Sequence, residues 1–232
     1  MENEESRQGE AIRMRLAQVR QRIANAAQKA GRSASDIEIV AVSKGQPAGV
    51  VRAASLAGLS CFGENYVQEA VAKKDELEDL PGLFWHFIGH LQSNKASLVT
   101  GRFALIQSID SERLARKVSE AASRAQFKQA ALVQVHLGEE ATKFGVSPED
   151  ALALCEKVAG FQNLSLQGLM GIAPANVDPR PYFARLQALF ETLPKENRQN
   201  LSMGMSSDFE AAIQEGSTMV RLGTAILGER RG

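Results

Sequence analysis

Strand-like and helix-like runs alternate eight times along this chain. Strand-like runs fall at 37–44, 60–63, 83–88, 104–108, 130–136, 164–170, 200–203 and 218–222, the first of them apolar and β-branched. Helical patterns lie between them, near 48–58, 65–79, 93–100, 111–126, 148–160, 179–193 and 207–215, with a short last one from 224. A crossover helix returns the chain to the same end of a sheet, so such an alternation implies parallel pairing. Runs apolar on both sides suit strands buried on both faces. Eight repeats point to an α/β fold, a single (β/α)8 TIM barrel; an open doubly wound sheet is the alternative. Barrels are typically ~250 residues, and 232 residues make a compact one. Ahead of the first strand, Ile12, Leu16, Val19, Ile23 and Ala27 recur at helical steps and Gly31 follows. An extra N-terminal helix over about residues 8–30 with a glycine stop is expected. No linker or low-complexity tract breaks the pattern, so residues 1–232 are expected to form one domain. Ser147-Pro148-Glu149-Asp150 and Asp178-Pro179 read as helix starts.

Composition narrows the class. Lys+Arg and Asp+Glu each number 27, which leaves no electrostatic footprint for nucleic acid. No stretch is long and apolar enough to span a bilayer. The N-terminus Met1-Glu2-Asn3-Glu4-Glu5 lacks the apolar core of a signal peptide. Cys61 and Cys155 have no metal or redox spacing and read as buried thiols, which fits a reducing cytoplasm.

In a barrel, chemistry gathers where strands end and the following loops begin. Those ends carry Lys44, Glu64-Asn65, His86, Ser108, His136, Met170-Gly171, Ser202 through Ser207, and Arg221. Lys44, followed by the turn glycine Gly45, is the most informative. Partly desolvated there, a lysine can lose its proton and attack a carbonyl; the plain alternative is a solvated strand cap. Met203-Gly204-Met205-Ser206-Ser207-Asp208 opens a helix, and Arg221-Leu222-Gly223-Thr224 closes the eighth strand. Loops seven and eight often hold phosphate in barrels, although Ser206 or Ser207 can equally be an ordinary cap. A carbonyl-seeking lysine opposite a phosphate cradle fits a phosphorylated aldehyde, of which pyridoxal 5′-phosphate (PLP) is the commonest cofactor. Arg221 alternates with Met219 on one strand face and can point at its ring.

Seven segments carry a family resemblance: Ile39-Val40-Ala41-Val42-Ser43-Lys44, Phe62-Gly63-Glu64-Asn65-Tyr66, Trp85-His86-Phe87-Ile88-Gly89, Leu91-Gln92-Ser93-Asn94-Lys95, Leu169-Met170-Gly171, Leu201 through Ser206 and Val220 through Thr224. They closely resemble the PLP homeostasis (PLP-binding) protein family, whose fold is similar to the barrel domain of alanine racemases. The resemblance implies PLP held as a Schiff base on Lys44, an internal aldimine. Ser206, Ser207, Gly223 and Thr224 would surround the phosphate. Arg221 would face the pyridine nitrogen, and Asn65 would lie near the ring's polar edge. No catalytic residue is assigned.

A cofactor carrier is the favoured reading, storing PLP or delivering it to apo PLP-dependent enzymes. Arginine can only donate to the ring nitrogen, which leaves the ring a weak electron sink. The racemases supply a second base, a tyrosine, from a second domain, and no such domain is expected after Gly232. Tyr66 and Tyr182 read as packing or structural residues. A low-activity amino-acid racemase is the alternative, and a cofactor-free lysine enzyme of aldolase type is a third. A monomer is expected. His86 and His90 are four apart, but Gly89 and the strand before it argue against a metal-binding helix face. The sequence leaves open whether His86 meets the cofactor or bonds within the barrel. Lys143 is a second lysine that could contact the cofactor.

Overall fold

The computed structural model describes residues 2–138 and 144–229, with side chains from residue 7. Lys143 therefore lies outside the described residues. Eight parallel strands close on themselves: β1 (Glu38–Val42), β2 (Cys61–Glu64), β3 (Phe84–Phe87), β4 (Leu105–Ile109), β5 (Gln129–His136), β6 (Leu164–Ile172), β7 (Asn200–Ser202) and β8 (Met219–Leu222). The closing pair is β1 with β8, in the register Glu38↔Met219, Val40↔Arg221. That pairing excludes the open sheet and makes the fold a (β/α)8 TIM barrel.

Helix α1 (Glu2–Lys29) precedes the barrel and begins earlier than its apolar periodicity indicates. Ile12, Leu16, Val19, Ile23 and Ala27 are all buried. Gly31 ends the helix at φ +66°, with the Arg32 amide donating to the Ala27 carbonyl, the glycine stop that its position predicts. The crossover helices are α2 (Ala48–Leu56), α3 (Val67–Glu76), α4 (Ala96–Val99), α5 (Glu112–Arg124), α6 (Ala151–Ala159), α7 (Arg180–Thr192) and α8 (Phe209–Gln214), and α9 (Thr224–Leu227) follows β8. Ser147 does not open α6 directly. Its hydroxyl accepts the Asp150 amide within a turn, and regular helix starts at Ala151. Asp178 accepts the Arg180 amide at the head of α7, as a cap should.

Strand alternation sorts the side chains into two cores. The larger core fills the space between sheet and helices. Inside the barrel a smaller apolar cluster comprises Val40, Cys61, Leu105, Leu132, Met170 and Met219. The interior also holds a polar layer, His86, Gln107, Ser202 and Arg221, all buried, of which Gln107 and Arg221 lie two residues beyond Leu105 and Met219 of the cluster. His86 bonds within the barrel: its Nδ1 lies 3.0 Å from Gln107 Nε2, and each ring nitrogen lies 3.6 Å from Cys61 Sγ.

Burial pushes the His86 imidazole down from 6.5 to about 4. Below pH 6.5 the unfolded chain takes up a proton that the folded barrel refuses until about pH 4, so stability is lost as the pH falls through that window. The expected loss is about 3 kcal/mol by the lower end. Urea unfolding of wild type and His86→Gln between neutral pH and pH 4 checks this: the wild type should lose that much more stability than the variant.

Candidate functional site

The end of β1 turns sharply. The Gln46 amide donates to the Ser43 carbonyl, and Gly45, third in the turn, has φ +67°. Glycine at that position permits a type II turn. Lys44 therefore stands in this turn, two residues past the last ladder residue of β1, and is half-buried.

A buried cation holds the turn from behind. Lys73 of α3 donates to the Ser43 carbonyl (2.8 Å), to Glu64 Oε1 (2.5 Å) and to Glu69 Oε1 (3.0 Å). Ser43 Oγ also donates to Glu64 Oε1 (2.7 Å), and the Gly45 amide donates to Glu69 Oε1 (2.6 Å). Residues 43 and 45 are thus both tied down, on either side of Lys44. Burial pushes the Glu64 carboxyl up, against the opposing pull of the bonds from Lys73 and Ser43.

On the next strand Asn65 follows β2. Its backbone is pressed against Gly89, where an added Cβ would lie 2.2 Å from the Asn65 carbonyl oxygen. Asn65 Oδ1 is buried without a hydrogen-bond partner. After β7 the chain passes through Gly204 at φ +93°. A Cβ there would meet Ala212 Cβ at 2.6 Å and Phe209 Cα at 2.9 Å. Gly223 is less constrained, since its Cβ would reach only 3.4 Å from the Val42 carbonyl. Asp208, not Ser206 or Ser207, occupies the N-cap position of α8, and its carboxylate accepts the Met205 amide at 2.6 Å. Neither serine is the helix cap.

These elements enclose one cavity of about 320 Å³ at the mouth of the barrel. Lys44, Asn65, Ser206, Ser207, Arg221, Gly223 and Thr224 all line it. Val42, Gln46, Ile88, Ile172, Met205 and Gly228 complete the wall. Two cationic side chains face this space, and among the described residues no carboxylate lines it. Tyr66 points away, 62% exposed; Tyr182 packs against the outer core. Neither lines the cavity.

Arg221 is anchored by neutral groups. Its Nη1 donates to Ser202 Oγ (2.8 Å) and its Nη2 to the Gly171 carbonyl (3.0 Å). Burial pushes its guanidinium down to about 10, which still leaves it cationic at neutral pH; the charge of Asp208 acts the other way. Gln107 and Lys73 lack any local mark of importance. Gln107 sits inside an apolar run, and Lys73 sits beside Lys74 in a stretch that reads as solvated surface. His90 stacks on Phe144 with ring centroids 3.6 Å apart, away from the cavity. Among the described residues no group of three metal-ligating side chains occurs.

A closed parallel barrel with a lysine in the turn after β1 and a cationic mouth belongs to the class typified by racemase barrels. Residues 14–231 match the family described as alanine racemase, N-terminal domain. Within that class the chain belongs to the pyridoxal phosphate homeostasis protein family. A Pseudomonas aeruginosa protein of that name is 45% identical over 217 residues, covering 93% of this chain and 94% of the relative. PipY of Synechococcus elongatus, solved with PLP bound, superposes with a TM-score of 0.82 at 36% identity, covering 94% of this chain and 100% of PipY. An alanine racemase of Bartonella henselae, solved with covalently bound pyridoxal phosphate, shares the fold at a TM-score of 0.72 and 15% identity. That match covers 97% of this chain and 61% of the racemase.

Removing Lys73 would leave the buried Glu64 carboxylate uncompensated. Lys73→Met is expected to cost about 3–5 kcal/mol in urea unfolding. The double variant Lys73→Met/Glu64→Leu should recover most of that loss.

Proposed function

We propose that this chain is a single PLP-binding barrel domain, a cytoplasmic monomer that holds the cofactor at the barrel mouth and stores it or passes it to apo-enzymes. The observation that carries the reading is the cavity wall: an amine, a buried guanidinium and several hydroxyls with no carboxylate among the described residues. Such a wall favours an anion bearing an aldehyde. The PLP bound to PipY and the names of the relatives support the same ligand. The volume suits a small cofactor, and the buried, unpartnered Asn65 Oδ1 fits a ligand that supplies a donor.

In this reading Lys44 Nζ is the attachment point for the aldehyde carbon. Ser206, Ser207, Gly223 and Thr224 bind the phosphate, and Asn65 meets the polar edge of the ring. Bound PLP supplies an electron-accepting ring. Arg221 holds its own protons and would act toward the ring nitrogen as a donor only, which would favour an unprotonated nitrogen and a weak electron sink. Racemisation requires a second proton-transferring base opposite Lys44. Neither tyrosine of the chain lines the cavity, and the histidine of the polar layer is turned to Gln107 and Cys61. Holding and releasing the cofactor fits these residues better than turnover. Two buried free thiols accord with a reducing compartment.

Wild-type protein mixed with PLP should gain the visible absorbance of an imine-linked pyridoxal. Borohydride should fix the cofactor on the peptide containing Lys44. Lys44→Ala should show neither. Wild-type protein that stays colourless overturns the assignment. Loss of optical purity from L-alanine that disappears in Lys44→Ala would replace the carrier reading with the racemase one.

A further inference from the structure

A one-way chain of hydrogen bonds runs from the floor of the cavity into the barrel. Arg221 Nη1 lies 2.8 Å from Ser202 Oγ. A guanidinium has donors and no acceptor, so the serine oxygen accepts. The hydroxyl proton then goes to Gln107 Oε1, 2.7 Å away. That commits the Gln107 carbonyl and turns its amide nitrogen toward His86 Nδ1 and Met219 Sδ, each at 3.0 Å. His86 consequently accepts at Nδ1 and keeps its proton on Nε2. All four polar residues are at most 5% exposed. Reversing any one bond would leave a buried donor or acceptor unpaired.

The character of the anchors matters as much as their direction. Buried arginines normally bond to a carboxylate, which neutralises them. Here the bonded partners of both terminal nitrogens are neutral, a hydroxyl and a peptide carbonyl. They fix the plane of the guanidinium without cancelling its charge, so the charge remains available to the cavity.

We propose that Ser202 and Gln107 are positioning residues. They lock the Arg221 guanidinium in one orientation, with His86 as the terminal acceptor, and so set how firmly the site grips an aromatic ring nitrogen. This rests on the reading of the cavity as a PLP pocket. Ser202 and Gln107 act through Arg221; neither lines the cavity.

Three variants test it: Ser202→Ala, Gln107→Met and, as rescue, Ser202→Thr, which keeps the hydroxyl. The measurements are the PLP dissociation constant, the NMR shift of an isotope-labelled pyridine nitrogen in bound PLP, and the melting temperature of ligand-free protein. Ser202→Ala and Gln107→Met should bind PLP roughly ten-fold more weakly, the scale of one lost bond to a charged donor. Both should move the nitrogen resonance, and Ser202→Thr should restore both readouts. If Ser202→Ala does not fold, Ser202→Cys, of the same shape with a weak donor, takes its place with the same expectation. Variants that melt lower yet keep the wild-type affinity and nitrogen resonance overturn the positioning role and leave the pocket reading intact. Wild-type protein that does not bind PLP at all overturns the pocket reading itself.

Discussion

The structure depends on the pairing of its first and last strands. Residues Glu38–Ala41 of β1 lie beside Met219–Leu222 of β8, and this seam closes the barrel. Closure makes a site out of residues far apart in the chain. Lys44 gains Asn65 from the strand on one side and Gly223 and Thr224 from the strand on the other. Helix α1 packs outside the same seam, against α2, α8 and α9. Arg15 donates to the Ile226 carbonyl, Arg22 forms a paired contact with Glu210, and Arg32 donates to the carbonyls of Ile213 and Ser217. These bonds tether the N-terminal segment to the helices that flank the closure. The extra helix therefore buttresses the part of the barrel on which the site depends.

Within the barrel, Leu105 and Met219 of the apolar cluster are followed two residues on by Gln107 and Arg221 of the polar layer. A polar layer at this depth is stable only if every member finds a partner. Four side chains from four strands meet that requirement for one another: His86 from β3, Gln107 from β4, Ser202 from β7 and Arg221 from β8. The floor of the cavity is thereby held on several sides, whereas the rim that carries Ser206, Ser207 and Thr224 is built from short loops.

Much of this was legible in the sequence, for a physical reason. Strands buried on both faces are mostly apolar, so the eight runs stood out as alternating with helical patterns, and the barrel followed from their number. Their polar ends marked Lys44, Asn65, Ser206, Ser207, Arg221, Gly223 and Thr224, which the fold brings to one cavity. Contacts without a local signature were hidden. Gln107 reads as a flaw in an apolar run, because its partners lie 21, 95 and 112 residues away. Lys73 resembles any surface lysine until α3 lays it over the ends of β1 and β2. Gly204 was visible as a glycine, but the demand for it comes from Ala212 and Phe209, across the turn into α8.

Strand alternation also explains why, among the described residues, no carboxylate lines a mouth with two cations. On β2 and just beyond it, Glu64 and Asn65 are neighbours that point to opposite faces. Glu64 turns outward, where Lys73 and Ser43 meet it; Asn65 turns inward and lines the cavity. Ser43 and Lys44 divide in the same way, the serine to Glu64 and the lysine to the cavity. A slip of one residue in β2 would exchange the two faces and bring a carboxylate toward Lys44 and Arg221. That carboxylate would repel an anionic ligand such as PLP. The register of β2, fixed by its pairing with β3 from Cys61↔Phe84 to Glu64↔Phe87, therefore keeps the Glu64 carboxylate off the described wall of the mouth.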